Sequence, residues 1–527
     1  MINYKNTIIL ILFLTYLFIG IFLSLTNGIS HDQFHEQLNW KINFQAIQSI
    51  FTDKGDYNVL LEYLDKYHGI GFHYISQPIQ FLIHEQVGKI YQVTFEGSYY
   101  LSRHVAVFLI FSLSGYFFYL ICLRVSDSKN FSLICVTLFL LYPYLFGHAQ
   151  INGKDIPFMS VWIIATYFLV SMIEKFYNEK EIDVKIIFYI SFATAFLISI
   201  RITGILILIQ YLVALVILLN VKDINFLSFI KKNIFFFSIF SFLLIIFTYL
   251  LNPILWHNPL EIISSVKWMG KYYHDICTLT LGSCMRALNL PSSYTFIWFF
   301  FKLPILILLG LFLFPFIEEK IIKKDIKTIY YGIFILTPLI LLFIFILKNV
   351  ALYDEIRHIM FLIPFLFLIG LYNIFILNKK FFYYSSALVI IFFIIENVSL
   401  KRYQYTWLNS FAKFTNIQKN FEIDYLGVSN KNLQSEIVKY ALQNNIPKDT
   451  CIYGNLYTNV FLKQKGFSCF NLYSSLDSAK IKPFFAYQNV RNIKRNKPND
   501  CKLIHLEKYN YTFFKDDIVT GKLWYCE

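Results

Sequence analysis

The stretch TIILILFLTYLFIGIFLSLTNGISHDQFHEQLNW, Thr7 to Trp40, decides how the rest of the chain is read. It starts as an apolar run of membrane length and ends in a cluster of ionisable residues, His31, Asp32, His35 and Glu36. About 20 apolar residues are needed to cross a bilayer, so the run predicts a spanning helix. Lys5 precedes it, its core is longer than a signal-peptide core, and no small-residue cleavage pattern comes before the polar cluster. The helix therefore reads as a signal anchor that stays attached, and the polar cluster is held where it leaves the membrane.

Composition extends that reading to the whole chain. Of 527 residues, 57% are hydrophobic, 20% aromatic and only 15% charged, against about 25% charged in soluble domains. Apolar runs fall at 7–26, 103–123, 131–147, 157–173, 185–200, 205–221, 233–251, 295–317, 329–347, 358–377 and 382–398, about eleven candidate spans. The expected fold is thus an α-helical polytopic membrane protein. The net charge of +14 needs no nucleic-acid partner, because basic residues collect in cytoplasmic loops of such proteins.

With the N-terminus cytoplasmic, the inner positions hold Lys5, Arg124, Lys175, Lys231, Lys323, Lys379 and further lysines, while the short outer turns hold Lys154, Arg201, Lys348 and Arg357. That skew sets the orientation and places 27–100, 252–294 and 399–527 outside, as expected of a bacterial inner-membrane protein with a periplasmic C-terminal domain. Six cysteines fall in those outer segments. Cys277 with Cys284, Cys451 with Cys469 and Cys501 with Cys526 are the candidate disulfides in an oxidising compartment, although spacing leaves the connectivity open.

The chain divides into a membrane module, 1–398, and an outer domain, 399–527. In the latter, NLQSEIVKYALQNN carries Leu433, Ile437 and Ala441 at helical spacing, and CIYGNLY reads as a strand, so a small α/β domain is predicted. Within the first outer loop, 27–100, the stretch Tyr57–Gln86 reads as amphipathic helices lying along the interface.

Ionisable groups at the edge of a bilayer are costly and mark candidate functional sites. Asp32 and Glu36 share a helix face with His35; the plainer reading makes Asp32 a cap and Glu36 a solvated first-turn residue. The turn GHAQINGKDIPF brings His148, Lys154 and Asp155, with Asp155 a second possible cap before Pro157. Arg201 in SIRITG either snorkels or pairs with a buried anion such as phosphate. LYDEIRHIMFLIP sets Arg357 and His358 at the mouth of a span, and Lys302 in FFFKLP adds a cation at the same level. Carboxylates and cations gathered at one membrane face suit a phosphorylated lipid better than a transport path, which needs ionisable or broken helices at mid-depth.

Together, Asp32 to Glu36 after the first span, the Pro143…GHAQINGKDIP turn, RITG at Arg201, NPILWHNP at Pro253 and YDEIRH resemble the GT-C class of membrane glycosyltransferases. The pattern is most similar to the protein mannosyltransferase and aminoarabinose transferase-like families, and FEIDYLG at Phe421–Gly427 resembles the stretch that opens their outer domain. The resemblance implies an inverting transferase that takes sugar from a polyprenyl-phosphate donor, among membrane lipids, to a lipid, glycan or protein acceptor on the outer face. It places the general base on Asp32 and a second acid on Asp155, with Glu36 one turn from Asp32 where many relatives have adjacent Asp-Glu. It assigns donor phosphate to Arg201, Arg357, His358 and Lys302. No cofactor is expected to be required; a divalent metal would find ligands among His35, His148, Asp32 and Asp155. A transporter or a non-catalytic envelope-assembly protein is the rival reading.

Overall fold

The computed structural model describes residues 4–52, 54–179, 183–270, 275–321, 323–455, 458–479, 482–489, 498, 501–512 and 516–527. Among these, eight helices are long and apolar enough to cross a membrane: Thr7–Thr26, Phe95–Ser126, Asp155–Tyr177, Ile202–Lys222, Ile234–Leu251, Ile326–Leu347, Arg357–Leu377 and Lys379–Thr406. Polar caps start several of them. Thr94 accepts from Gly97 N, Asp325 from Thr328 N and Asn378 from Phe381 N, which satisfies donors a helix start leaves orphaned. Asp155–Tyr177 and Arg357–Leu377 run through the centre of the bundle, whereas Thr7–Thr26 and Ile234–Leu251 stand at its rim with apolar side chains outward.

The other three expected runs differ from single long spans. The run at 131–147 is two helices, Lys129–Leu141 and Pro143–Ile151, bent by 57°; counted as one span they raise the total to nine. Pro143 has no N–H to donate and drives Tyr142 out of the helical region, to φ −58°, ψ 115°, so the helix restarts in a new direction. Pro304 breaks 295–317 in the same way, into Ser293–Lys302 and Ile305–Phe312. Val184–Ile200 is one helix of 17 residues. A proline break redirects backbone without altering the apolar pattern, which is why hydropathy does not separate these pieces.

The polar segments gather at one end of the bundle. His31 N donates to Leu426 O at 3.1 Å, and Lys431 Nζ donates to Thr26 O at 2.6 Å and Asn27 O at 3.2 Å. A cation thereby meets the last carbonyls of the first span, where the helix dipole is negative. Gly427 holds φ +72°, and a Cβ there would lie 2.1 Å from His31 Nε2, so FEIDYLG is pressed against the opening cluster. A hairpin of β1 (Cys277–Thr280) and β2 (Ser283–Arg286) joins the same end: Leu279 N donates to Glu422 Oε2 at 2.9 Å. Across the predicted interfacial stretch lie the helices Asn58–Glu62 and His73–Tyr91.

The C-terminal domain is a five-stranded mixed sheet. In order across the sheet the strands are β4 (Phe470–Leu472), β3 (Cys451–Gly454), β5 (Phe484–Asn489), β7 (Ile518–Cys526) and β6 (Cys501–Tyr509). β3 lies parallel to β4 and β5, while β7 lies antiparallel to β5 and β6. The helix Asn430–Gln443 buries Leu433, Ile437 and Ala441, one side of it, in a cluster with Phe485, Tyr487 and Leu523. Of the predicted strand CIYGNLY, Cys451–Gly454 is strand and residues 456–457 lie outside those described. Disulfides join Cys277 to Cys284, Cys451 to Cys469 and Cys501 to Cys526, while Cys122 and Cys135 are free and buried.

Candidate active site

The helix Asp32–Phe51 begins at Asp32 with no side-chain cap bond. The Asp32 carboxylate turns to Arg357 instead, accepting from Nη1 at 2.6 Å, and its side chain is 52% exposed. The cap reading of Asp32 therefore does not hold. Arg357 opens the 3-10 turn Arg357–Leu362, is buried, and is held from its other side by Asp354 Oδ2 at 3.0 Å and by the ring of Tyr353. Asp354 and Glu355 sit at φ +55° and +68°, a left-handed conformation that costs a non-glycine residue about 1–3 kcal/mol and persists only when its surroundings impose it. Here Asp354 N donates to Thr278 Oγ1 at 2.9 Å, and Tyr294 O–H donates to Glu355 O at 3.2 Å. The turn that presents Arg357 is thus braced by the β1–β2 hairpin. Partial desolvation raises the Asp32 carboxyl, but the charge and hydrogen bond of Arg357 outweigh it and hold the group below its ordinary range.

Glu36 is buried, not solvated, which corrects the first-turn reading. Its carboxylate lies 3.4 Å from both Arg103 Nη2 and Lys154 Nζ, and 3.9 Å from His73 Nε2. Burial opposes its charge, yet Lys154, the nearby His73 and Arg103 together draw its carboxyl well below the usual range. Lys154 Nζ also donates to Gly69 O at 2.6 Å.

Asp155 is no cap either. Asn152 Oδ1 accepts from Lys154 N at 3.2 Å and Asp155 N at 2.9 Å, so Asn152 serves the helix start and leaves the Asp155 carboxylate free for other partners. Asp155 Oδ2 accepts from Asn152 Nδ2 at 2.8 Å, and Oδ1 lies 2.5 Å from Arg201 Nη2. Of the two readings of Arg201, the structure takes the pair with a buried anion, which is this carboxylate.

These groups meet at a cavity of about 490 Å³. Asp32, Glu36, Lys154, Arg201, Arg357 and His358 line it, with Ile202, Phe345, Leu352 and Phe361 on its apolar flank. Asp155 stands one side chain behind, through Arg201. His35 lines the mouth beside Asp65 and His68. Lys302 and His148 lie away from the lining. Lys302 is fully buried, 2.8 Å from Glu355 Oε2 and donating to Trp407 O at 3.0 Å. His148 Nε2 meets Tyr425 O–H at 2.9 Å, and Tyr425 reaches Glu355 Oε2 at 3.4 Å. Lys302, Glu355, Tyr425 and His148 form a buried strut that joins the bundle to the C-terminal domain.

Sequence reasoning missed Arg103, His73, Asp65, His68 and Tyr425 as members of this region. Arg103 carried a signal, an arginine inside an apolar run being costly unless paired. Asp65 and His68 carried none, because their turn has no period.

The fold and site define a polytopic helical membrane protein with an extramembrane α/β domain seated over an ion-paired cavity at one end of the bundle. No family model matches the sequence, and no curated protein matches it. Among solved structures, the chain is similar to ArnT from Cupriavidus metallidurans in the apo state, with 11% identity, 99% of this chain and 98% of that chain covered, and a TM-score of 0.49. It is also similar to ArnT from the same organism bound to undecaprenyl phosphate, with 12% identity, the same coverage and a TM-score of 0.46.

Proposed function

We propose that the protein is a glycosyltransferase that moves a sugar from a polyprenyl-phosphate donor to an acceptor hydroxyl or amine at the outer face of the membrane. One observation carries this reading: a half-exposed carboxylate, Asp32, stands 2.6 Å from a buried arginine in a cavity whose remaining walls hold Arg201, Lys154 and apolar side chains. A proton acceptor, cations for a phosphate and an apolar flank for a lipid tail thus occupy one space.

In the proposed reaction Asp32 takes the acceptor proton while the acceptor atom attacks the anomeric carbon from the face opposite the phosphate. The bond from that carbon to the phosphate oxygen breaks, and polyprenyl phosphate leaves with the electron pair. Arg357 and Arg201 stabilise the leaving charge in a water-poor pocket, where fixed donors act most strongly. Asp155 orients Arg201, and Glu36 balances Lys154 and Arg103 so that the cationic wall is not left uncompensated. His358 completes the lining, whereas Lys302, already paired with Glu355, takes no part. The strut behind the cavity couples the outer domain to the turn that holds Arg357, a connection that a simple cover would not need.

The experiment is a transfer assay in proteoliposomes with a panel of polyprenyl-phosphate sugars and of lipid, glycan and peptide acceptors. Transfer with inversion supports the proposal. Absence of both transfer and polyprenyl-phosphate binding overturns it in favour of a scaffold or a transporter, which substrate flux would reveal.

A further inference from the structure

The mouth of the cavity carries a cluster that the proposed reaction does not use, in which His35 stands with Asp65 and His68 rather than with His148, Asp32 and Asp155. His35 stands on the Asp32–Phe51 helix, and Asp65 and His68 stand on the turn after Asn58–Glu62. His35 Nε2 lies 3.4 Å from Asp65 Oδ2, and His68 Nδ1 lies 3.8 Å from Asp65 Oδ1. One ligand atom from each residue falls within 4.8 Å of the other two. Donors bound at about 2.0–2.2 Å around a tetrahedral zinc ion stand about 3.3–3.6 Å apart, so a small contraction of the three would enclose an ion.

The turn is tied down before any ion arrives. His68 N donates to Asp65 O at 2.9 Å, and Gly71 N to Ser199 O at 2.8 Å. Tyr63 O–H donates to Asn39 Oδ1 at 2.5 Å, and Lys154 Nζ reaches Gly69 O. Such anchoring at both ends pre-organises the ligands. All three side chains are partly exposed and line the cavity.

We propose that His35, Asp65 and His68 form a divalent metal site of the zinc type, with a fourth position open to the cavity. Two imidazoles and one carboxylate suit zinc and its neighbours, whereas magnesium prefers oxygen ligands in an octahedral set. Three protein ligands with one open position is also the arrangement of exchangeable, substrate-accepting sites. The ion with its single carboxylate carries a net positive charge and extends the cationic wall of Arg201 and Arg357 to the mouth. That a phosphate oxygen of the donor fills the fourth position rests on the glycosyltransferase reading.

The test uses the full-length protein in detergent, stripped with chelator and titrated with Zn²⁺, Co²⁺ or Mg²⁺. One zinc per chain retained through desalting, and the intense visible absorption of tetrahedral cobalt, are expected, with no competition from equimolar magnesium. His35→Ala, His35→Gln, Asp65→Asn and His68→Ala should each weaken zinc binding by about tenfold or more, a loss that even outer partners of a metal can cause. His257→Ala, an exposed histidine elsewhere at this end, should leave it unchanged. Wild-type protein that retains no stoichiometric zinc, or His35 variants that retain it with unaltered affinity, overturns the site. Added polyprenyl phosphate should shift the cobalt spectrum; an unchanged spectrum on protein that binds both refutes phosphate as fourth ligand. Metal retention is read without lipid and lipid binding without metal, so failure of the metal site and failure of the transferase reading remain distinguishable.

Discussion

Asp32→Asn separates chemistry from stability at this site. The substitution keeps the shape of the side chain and removes its capacity to take a proton. Arg357 retains Asp354 at 3.0 Å, so no buried charge is stranded, and the Asp32 side chain is 52% exposed. With that counter-charge kept and the Asn oxygen still able to accept from Arg357, the change amounts to about one hydrogen bond, about 0.5–1.5 kcal/mol of stability. Removing a general base costs about 10²–10⁴ in rate, or about 3–5 kcal/mol of barrier. The expected outcome is a melting temperature close to wild type with kcat down by that factor and donor KM little changed, since the cations that would hold the phosphate remain. Initial rates at varied donor concentration, with thermal unfolding of the same preparation, make the comparison. A loss of less than about tenfold in kcat, below the range for a lost base, or a loss that follows unfolding, refutes the assignment of Asp32.

Glu36→Ala should act the other way round: it leaves Arg103 and Lys154 buried without their shared counter-ion and should cost about 3–5 kcal/mol of stability, readable as a large drop in melting temperature, with Glu36→Gln retaining the packing but not the charge. Arg357→Ala should weaken polyprenyl-phosphate binding by about 1.5–3 kcal/mol, the worth of a hydrogen bond to a charged group, measured by titration calorimetry. Acid should destabilise the fold in two stages. Burial, with Arg103 adding to it and Glu36 opposing, pushes the His73 imidazole down to about 3, whereas in the unfolded chain it takes up a proton near pH 6.5. Its contribution to stability is full above that pH and drains away as the pH falls toward about 3. Glu36, with its folded value depressed, adds a loss below its unfolded value of about 4.3, as the pH falls through its folded one. His73→Gln should flatten melting temperature against pH between about 6.5 and 3, and an unchanged profile would exclude His73 as the source.

Much of the fold was legible because the bilayer imposes a length and a polarity that a chain must display in its order of residues. All eleven apolar runs are helical, and the helix at Asn430–Gln443 appears where Leu433, Ile437 and Ala441 keep its spacing. The breaks at Pro143 and Pro304 were visible as prolines, but the direction in which a restarted helix points depends on what it packs against. The ionisable residues were legible as a set, since each is costly at a membrane edge, while their division into a cavity wall and a buried strut was not. Lys302 and Arg357 look alike as cations near span ends, yet one is sealed against Glu355 and the other faces Asp32.

By itself, then, the order of residues determined a multi-span membrane protein, a small α/β domain at its C-terminus and the inventory of charged groups able to do chemistry. Only the tertiary structure decided the pairings. Asp32 and Arg357 are 325 positions apart, and no local period links residues at that range. Their contact follows from where a bundle of helices, a disulfide-closed hairpin and the FEIDYLG stretch come to rest against one another. The strength of an ion pair depends on separation and on the exclusion of water, and both are properties of packing.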